Sequence, residues 1–290
     1  MTPFAAYIAP ARARPQIWRL AAGLILCTLV MVLWVGALLG LVLMLTGVQA
    51  AQDWAARMPS GGSPTATLLM LFGFTGLALG PALAARVLHG RSPRTLLGPP
   101  GAATRDFIRA VAVVAAIYGL GLAVWGWGYD TLPNLDPGVW LTFLPLALVA
   151  VLIQTGAEEL LFRGYIMQQL AARFASPLVW MALPALVFGA LHYDPAQATA
   201  SALGIVAATT VFGLIAADLT RRSGNLGAAW GLHFANNTLA ILLVATQDTI
   251  TGLALRVTPY GVETIGPALM LGDAAMLGVV WLVLRRVTGR

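Results

Sequence analysis

Long apolar runs separated by short polar connections dominate this chain of 290 residues. A helix that crosses a bilayer needs about 20 mostly apolar residues, and about eight runs approach that length. The predicted spans are Leu20–Leu45, Ala66–Ala85, Phe107–Trp127, Val139–Gln154, Leu178–Leu191, Ala198–Ala217, Ala228–Ala245 and Ile265–Leu284. The pattern therefore predicts an all-α, polytopic membrane bundle of about eight transmembrane helices that forms one domain over residues 1–290.

Composition and charge support this prediction. The chain is 59% hydrophobic and only 10% charged, which is far from the average of soluble domains. With the N-terminus in the cytoplasm, the inner segments contain every arginine except Arg57 and Arg256, as the positive-inside rule requires. Both termini are therefore predicted to be cytoplasmic, in a multi-pass protein of the plasma (inner) membrane. The net charge of +6 comes from arginines in the connecting loops and does not indicate nucleic-acid binding.

The first span has the position of a secretory signal, and Val48-Gln49-Ala50 resembles a cleavage site. A cleavable apolar core is about 7–15 residues long, so the longer run Leu20–Leu45 is predicted to be an uncleaved signal anchor. The single cysteine, Cys27, lies in this span. The sequence therefore offers neither a disulfide framework nor a cysteine-rich metal site.

Two adjacent carboxylates, Glu158 and Glu159, interrupt one of the most apolar regions. A charged side chain at membrane depth costs several kcal/mol, so it usually has a partner or a function. Glu159 and Arg163 are four residues apart, the spacing at which an acid and a base pair on one helix face. Glu158 is rotated by about 100° and lacks that partner. We therefore predict that Glu159 is a structural anion and that Glu158 is a general base.

Two histidines lie at membrane depth in the same half of the chain. His192 shares a helix face with Phe188, and His233 shares one with Asn237. One such polar residue can simply join two helices, but two histidines, two glutamates, an arginine and an asparagine together indicate a site. The third histidine, His89, is predicted to be a solvated loop residue.

The simple span assignment separates these residues. It places Glu158 near the inner end of the fourth helix and His192 near the outer end of the fifth. We therefore expect a tilted helix that continues over Leu141–Arg173, and a kink at Pro184 in the fifth helix. Glu158, His192 and His233 are then expected to converge on one polar cavity.

The order of the motifs resembles the CAAX prenyl protease and bacteriocin-processing family of intramembrane endopeptidases. The family pattern is EExxxR, FxxxH and HxxxN, and the matching stretches are Glu158–Arg163, Phe188–His192 and His233–Asn237. The similarity covers residues 139–245, which we take as the catalytic core. It implies hydrolysis of a membrane-associated or lipidated peptide or protein without a covalent enzyme intermediate.

The resemblance also implies residue roles. Glu158 is expected to activate water. The expected catalytic residues are Glu158, His192, His233 and Asn237. The residues expected to support them structurally are Glu159 and Arg163.

Two versions of this chemistry remain open. In one, His192, His233 and a carboxylate hold a zinc ion that acidifies water. In the other there is no metal, and His233 and Asn237 stabilise the oxyanion. Because the sequence lacks an HExxH motif, the metal-free version is preferred.

Two other functions compete with proteolysis. The chain could be a non-proteolytic immunity or scaffold protein of the same fold, although its intact motifs argue against this. It could also be a proton-coupled transporter in which Glu158 and the histidines form a relay. The absence of an inverted repeat weighs against a transporter. Two further polar residues are assigned lesser roles: Gln154, one turn before Glu158, as an orienting or interhelical residue, and Asp273 as a packing residue.

Overall fold

The computed structural model describes residues 1–125, 130–197 and 199–288, and most of them are helical. The α-helices are α1 (Pro3–Ile8), α2 (Ile17–Thr46), α3 (Val48–Arg57), α4 (Pro64–Val87), α5 (Pro100–Trp125), α6 (Pro137–Glu159), α7 (Met167–Arg173), α8 (Leu183–Ala190), α9 (Thr199–Ser223), α10 (Gly227–Thr238) and α11 (Pro267–Val287). The π-helical segments are Leu160–Ile166, Leu178–Ala182 and Leu239–Leu243. Short 3₁₀ turns are Ala9–Ala13, Met58–Ser60, Pro93–Leu96 and Val262–Thr264. The strands are β1 (Leu132–Pro133), β2 (Val244–Gln247) and β3 (Arg256–Gly261).

Five helices in the described ranges are long and apolar enough to cross a membrane. They are Ile17–Thr46, Pro64–Val87, Pro100–Val124, Pro137–Arg173 and Ala200–Ser223. The other three predicted spans coincide with the shorter apolar helix Leu178–Ala190, with α10 and the π-helical turn after it, and with α11. The chain is thus a multi-pass membrane protein built mainly of helices, as predicted. The total of eight spans and the cytoplasmic side of the termini stay predictions.

Local sequence sets the starts of two long helices. Ser63 precedes Pro64, and its hydroxyl accepts a hydrogen bond from the backbone N–H of Ala66 at 3.3 Å. Asp136 precedes Pro137 in the same way, and its carboxylate accepts from two backbone N–H groups of the first turn. Proline suits the first helical position because the N–H that it lacks would have no helical partner there. These caps define where α4 and α6 begin.

The predicted continuation of the fourth span is confirmed. The helical run Pro137–Arg173 is 37 residues long, and it joins α6 and α7 through the π-helical segment Leu160–Ile166. Glu158 consequently lies near the middle of one long helix and not at its end. Wider π-helical turns are frequent at functional sites because they redirect the side chains that follow. Pro184 comes just after the second π-helical segment, Leu178–Ala182, so the helical path before it is irregular.

Two glycines allow the helices that carry the motifs to approach closely. A Cβ on Gly156 of α6 would lie 2.7 Å from the indole of Trp230 in α10. A Cβ on Gly189 of α8 would lie 2.7 Å from the carbonyl oxygen of Val206 in α9. Any larger residue would separate these helix pairs. The two contacts therefore bring α6, α8, α9 and α10 around one region of the bundle.

A small three-stranded sheet covers one end of the bundle and was not predicted. β3 is central and pairs antiparallel with β1 and parallel with β2. Val257 is the register partner of both Leu132 and Ala245. Because β2 starts at Val244, the helix predicted over Ala228–Ala245 ends earlier, at Leu243.

The opposite end is rich in arginine and contains both ends of the described chain. The hydroxyl of Tyr7 donates to the carbonyl oxygen of Leu96 at 2.6 Å, which joins α1 to the 88–99 loop. Arg109 of α5 donates to the carbonyl oxygen of Val287, the last residue of α11, at 3.1 Å. We call this the arginine-rich end.

The prediction that His89 is solvated is wrong, because only 4% of its surface is exposed. Its Nε2 lies 2.8 Å from the hydroxyl of Tyr165, and its Nδ1 lies 3.1 Å from the carbonyl oxygen of Arg14. The N-terminal segment packs over the loop that contains His89. This contact joins residues far apart in sequence, so loop composition alone does not reveal it.

Candidate active site

Glu159 lies at the centre of a buried polar network. Nη1 of Arg163 donates to Oε1 of Glu159 at 2.9 Å, which is the ion pair expected from their spacing. Nδ1 of His233 lies 2.8 Å from the same oxygen. Arg163 also donates from Nη2 to the carbonyl oxygen of Gly213 at 3.1 Å. Glu159 is fully buried, so its charge is balanced by these neighbours and not by water.

The contact with Glu159 determines which nitrogen of His233 carries a proton. Oε1 of Glu159 already accepts from Arg163, so it accepts from His233 as well, and Nδ1 must be the protonated nitrogen. The other ring nitrogen, Nε2, lies 3.5 Å from Oε2 of Glu158. His233 therefore lies between the two adjacent carboxylates, with one nitrogen toward each.

The carboxylate of Glu158 is held at one oxygen only. Its Oε1 accepts a hydrogen bond from Nε2 of Gln154 at 2.8 Å. Its Oε2 accepts none from the residues that the structure describes. Gln154 is in turn oriented by Asn237, whose Nδ2 donates to Oε1 of Gln154 at 3.0 Å. Gln154 thus fills both of the roles considered for it. It contacts Glu158, and it joins α6 to α10 through its hydrogen bond with Asn237.

His192 lies at the edge of this network. It follows α8, is exposed, and donates from Nδ1 to the carbonyl oxygen of Phe188 at 2.8 Å. The ring of Phe188 lies 4.8 Å from that of His192 and 6.1 Å from that of His233, measured between centroids. The two imidazoles are therefore less than about one helix diameter apart. The structure places His192 beside the network through a phenyl ring and not through a hydrogen bond.

The geometry adds residues that the motifs did not indicate. Phe212 packs edge-on against His233 with ring centroids 4.9 Å apart, and Gly213 supplies the carbonyl that binds Arg163. Both belong to α9, which has no matched motif. Their only sequence signal is their place in an apolar span, so only packing reveals them.

Comparison with known protein families shows what this region is similar to. Residues 139–239 match the Rce1-like family. The matching model describes a type II CAAX prenyl endopeptidase Rce1-like family, which confirms the resemblance drawn from the three motifs. We call residues 139–239 the Rce1-like segment. It contains every residue of the network described above.

A curated relative also matches part of the chain. The uncharacterized protein YyaK of Bacillus subtilis (strain 168) is 29% identical over 119 residues. The alignment covers 41% of this chain and 39% of YyaK. The chain thus spans well under half the length of this relative. No solved structure matches the chain significantly.

The described residues of the Rce1-like segment do not bring three zinc ligands together. A catalytic zinc site takes three protein ligands and keeps one position open. Among the described residues, no group of three or more His, Cys, Asp and Glu side chains is arranged to hold a metal. Nδ1 of His233 is bound to Glu159, and Nδ1 of His192 is bound to a backbone carbonyl, so Nε2 of each ring is the nitrogen left for other contacts. Nδ1 contacts of this kind occur in metal-binding histidines too. The steps proposed below use only side chains of the protein.

Proposed function

We propose that the protein is an intramembrane endopeptidase that hydrolyses membrane-associated or lipidated peptides through a water activated by Glu158. One observation carries this proposal: Oε2 of Glu158 faces Nε2 of His233 while its other oxygen is held by Gln154. The match of residues 139–239 to an endopeptidase family supports it. We also propose that the protein lies in the plasma (inner) membrane, and the positive-inside rule directs its arginine-rich end to the cytoplasm.

The first step is the activation of water. Oε2 of Glu158 takes a proton from a water molecule, and the resulting hydroxide attacks the carbonyl carbon of the scissile peptide bond. Gln154 keeps Oε1 of the carboxylate occupied, so that Oε2 is the oxygen that reacts. The electron pair of the C=O bond moves to oxygen and forms an oxyanion.

The second step is the stabilisation of that oxyanion and the breaking of the peptide bond. His233, with a proton on Nε2 in addition to the one on Nδ1, and the second N–H of the Asn237 amide act as preorganised donors. Glu158 then returns its proton to the leaving nitrogen as the oxyanion re-forms a C=O bond and the C–N bond breaks, which yields a carboxylic acid and an amine. Glu159 orients His233, and Arg163 balances the charge of Glu159. His192, exposed beside Phe188, is assigned to contact with the substrate.

The test compares wild-type protein with Glu158→Gln in proteoliposomes that contain candidate membrane peptides, with products identified by mass spectrometry. We expect the cleavage rate of the variant to be roughly 10²–10⁴-fold lower, which is the rate acceleration that a general base typically contributes. Its thermal unfolding in detergent should match that of the wild type. The matched control is Glu263→Gln, an exposed residue in the loop before α11, which should cleave normally.

The same assay separates the alternatives. Normal cleavage by Glu158→Gln would end the proposal. A different pair of results would indicate a transporter: the folded wild-type protein cleaves no peptide but transports a solute with protons, and Glu158→Gln loses that transport. Each reaction is run with and without a metal chelator. The metal-free version that we propose predicts unchanged wild-type cleavage, and loss of cleavage would indicate the metal-dependent version.

A further inference from the structure

Two grooves flank the end of α11 at the arginine-rich end. The larger has a volume of about 450 Å³ and lies between α5 and α11; its lining residues are Arg109, Ala112, Val113, Arg286 and Val287. The smaller has a volume of about 230 Å³ and is lined by Arg222, Leu282, Arg285 and Arg286. Neither groove includes a residue of the Glu158–His233 network. Arg286 lines both.

The larger groove is positively charged. Its charged lining residues are Arg109 and Arg286, with no carboxylate among the lining residues that the structure describes. The acids nearby in the fold have other partners. Asp106 is fully buried and binds Asn225 and Arg105. The ion-pair partners of Asp218 are Arg221, Arg222 and Arg285.

Both groove arginines lie at the C-terminal end of α11. Arg286 lies in the last turn of α11, where a cation interacts favourably with the negative helix end. Arg109 reaches the same helix end from α5, since its Nη1 donates to the carbonyl oxygen of Val287. That contact uses one of the five N–H donors of the Arg109 guanidinium, so its other donors can bind a ligand.

The walls of the groove are apolar and continue along both helices toward the middle of the bundle. Ala112 and Val113 line it on α5, and Leu120 farther along α5 is 67% exposed. On α11, Val279 is also exposed and lies two turns before Arg286 on the same helix face, whereas Leu282 lines the smaller groove. In a membrane-spanning protein, such side chains contact acyl chains. The surface thus combines two cations at its end with an apolar track beside them.

We propose that the groove between α5 and α11 binds the phosphate headgroup of an anionic glycerophospholipid, with its acyl chains along α5 and α11. The planar guanidinium groups of Arg109 and Arg286 match phosphate oxygens in bidentate geometry. Basic pockets between transmembrane helices are suited to such headgroups. This site is independent of the proposed peptidase activity, because it shares no residue with it.

The experiment measures lipid binding to the detergent-purified full chain by native mass spectrometry. Phosphatidylglycerol and phosphatidylcholine with the same acyl chains are titrated against the wild type and against the double variant Arg109→Gln/Arg286→Gln. We expect tighter binding of phosphatidylglycerol to the wild type. In the double variant its apparent affinity should fall roughly thirtyfold, equivalent to about 2 kcal/mol. The variant Arg109→Lys/Arg286→Lys should have an affinity between those of the wild type and the glutamine variant, since it keeps both charges but loses the bidentate geometry.

The matched control is Arg12→Gln/Arg94→Gln, which removes two exposed arginines of the same end outside the groove and should bind phosphatidylglycerol like the wild type. Unchanged affinity in the groove variant would overturn the proposal, as would equal affinity for phosphatidylcholine. Competition by soluble glycerol 3-phosphate at the same concentration would show that a free phosphate suffices, and would overturn the lipid assignment. If the double variant unfolds, Arg286→Gln alone, on an exposed side chain, provides the same comparison at about half the expected effect in free energy.

Discussion

Nε2 of His233 lies 3.5 Å from Oε2 of Glu158. Because Nδ1 of the same ring donates to Glu159, a neutral His233 would direct the lone pair of Nε2 at the carboxylate. The contact is favourable only when a proton lies on Nε2 or on Oε2. His233 is therefore positioned to hold a proton beside Glu158 while Glu159 fixes its other ring nitrogen.

Replacing His233 should lower the rate of the chemical step. His233→Gln removes the ring nitrogen that faces Glu158, so we expect kcat to fall by roughly 10²–10⁴-fold with little change in KM. Both constants are measured with a cleavable membrane peptide. His192→Gln, outside the hydrogen-bonded network, should instead raise KM, because His192 is assigned to contact with the substrate. A wild-type kcat in His233→Gln would contradict the role proposed for His233.

Gln154 and Asn237 should act as one positioning unit for Glu158. Gln154→Leu removes the donor to Oε1 of Glu158, and Asn237→Ala releases Gln154. We expect Gln154→Leu to lower kcat with little change in KM. Asn237→Ala should lower kcat further, because it also removes the proposed oxyanion donor, and the double variant should be only slightly worse than Asn237→Ala, because coupled residues are not additive. Gln52→Leu, on the exposed helix α3, is the matched control. Fully additive losses would show that the two side chains act separately.

Arg163 should be required for stability. Arg163→Met leaves the fully buried Glu159 without its cation, and removing one partner of a buried ion pair costs about 3–5 kcal/mol. Adding Glu159→Gln should restore much of the loss, since the unpaired charge is then gone. Thermal unfolding in detergent measures both variants. The exposed Arg173→Met should change stability by less than about 0.5 kcal/mol, and a similarly small effect of Arg163→Met would refute the prediction.

Stability should fall in mild acid because of His89. Burial, aided by the nearby arginines 91, 19 and 14, holds the pKa of His89 below its ordinary value of 6.5. In the unfolded chain this imidazole gains a proton as the pH falls through about 6.5, while in the folded protein it stays neutral to lower pH. Its contribution is therefore complete above that pH and is lost as the pH falls through the folded pKa.

Thermal unfolding between about pH 7.5 and pH 5 tests this expectation. His89→Gln cannot titrate but keeps hydrogen-bonding groups, so its midpoint should fall less steeply with pH than that of the wild type. His192→Gln, whose wild-type side chain is exposed, should follow the wild-type curve. Parallel curves for wild type and His89→Gln would assign the acid sensitivity to another group.

The small sheet and the buried His89 show where sequence patterns are insufficient. β2 and β3 pair across a loop, and β1 joins them from more than 100 residues earlier in the chain. Strands this short have no periodicity that separates them from loop segments. The burial of His89 depends on the N-terminal segment that covers it. Both features arise from contacts between distant parts of the chain.

The sequence alone was enough to predict the helical membrane architecture, the long helix through Glu158 and the pair Glu159–Arg163. These follow from local rules: a bilayer requires backbone groups to be satisfied within helices, and residues four apart share a helix face. Two contacts could be found only in the folded structure: His233 lies between the two glutamates, and Asn237 orients Gln154. Both contacts cross from α6 to α10, and their geometry depends on how closely those helices pack at Gly156.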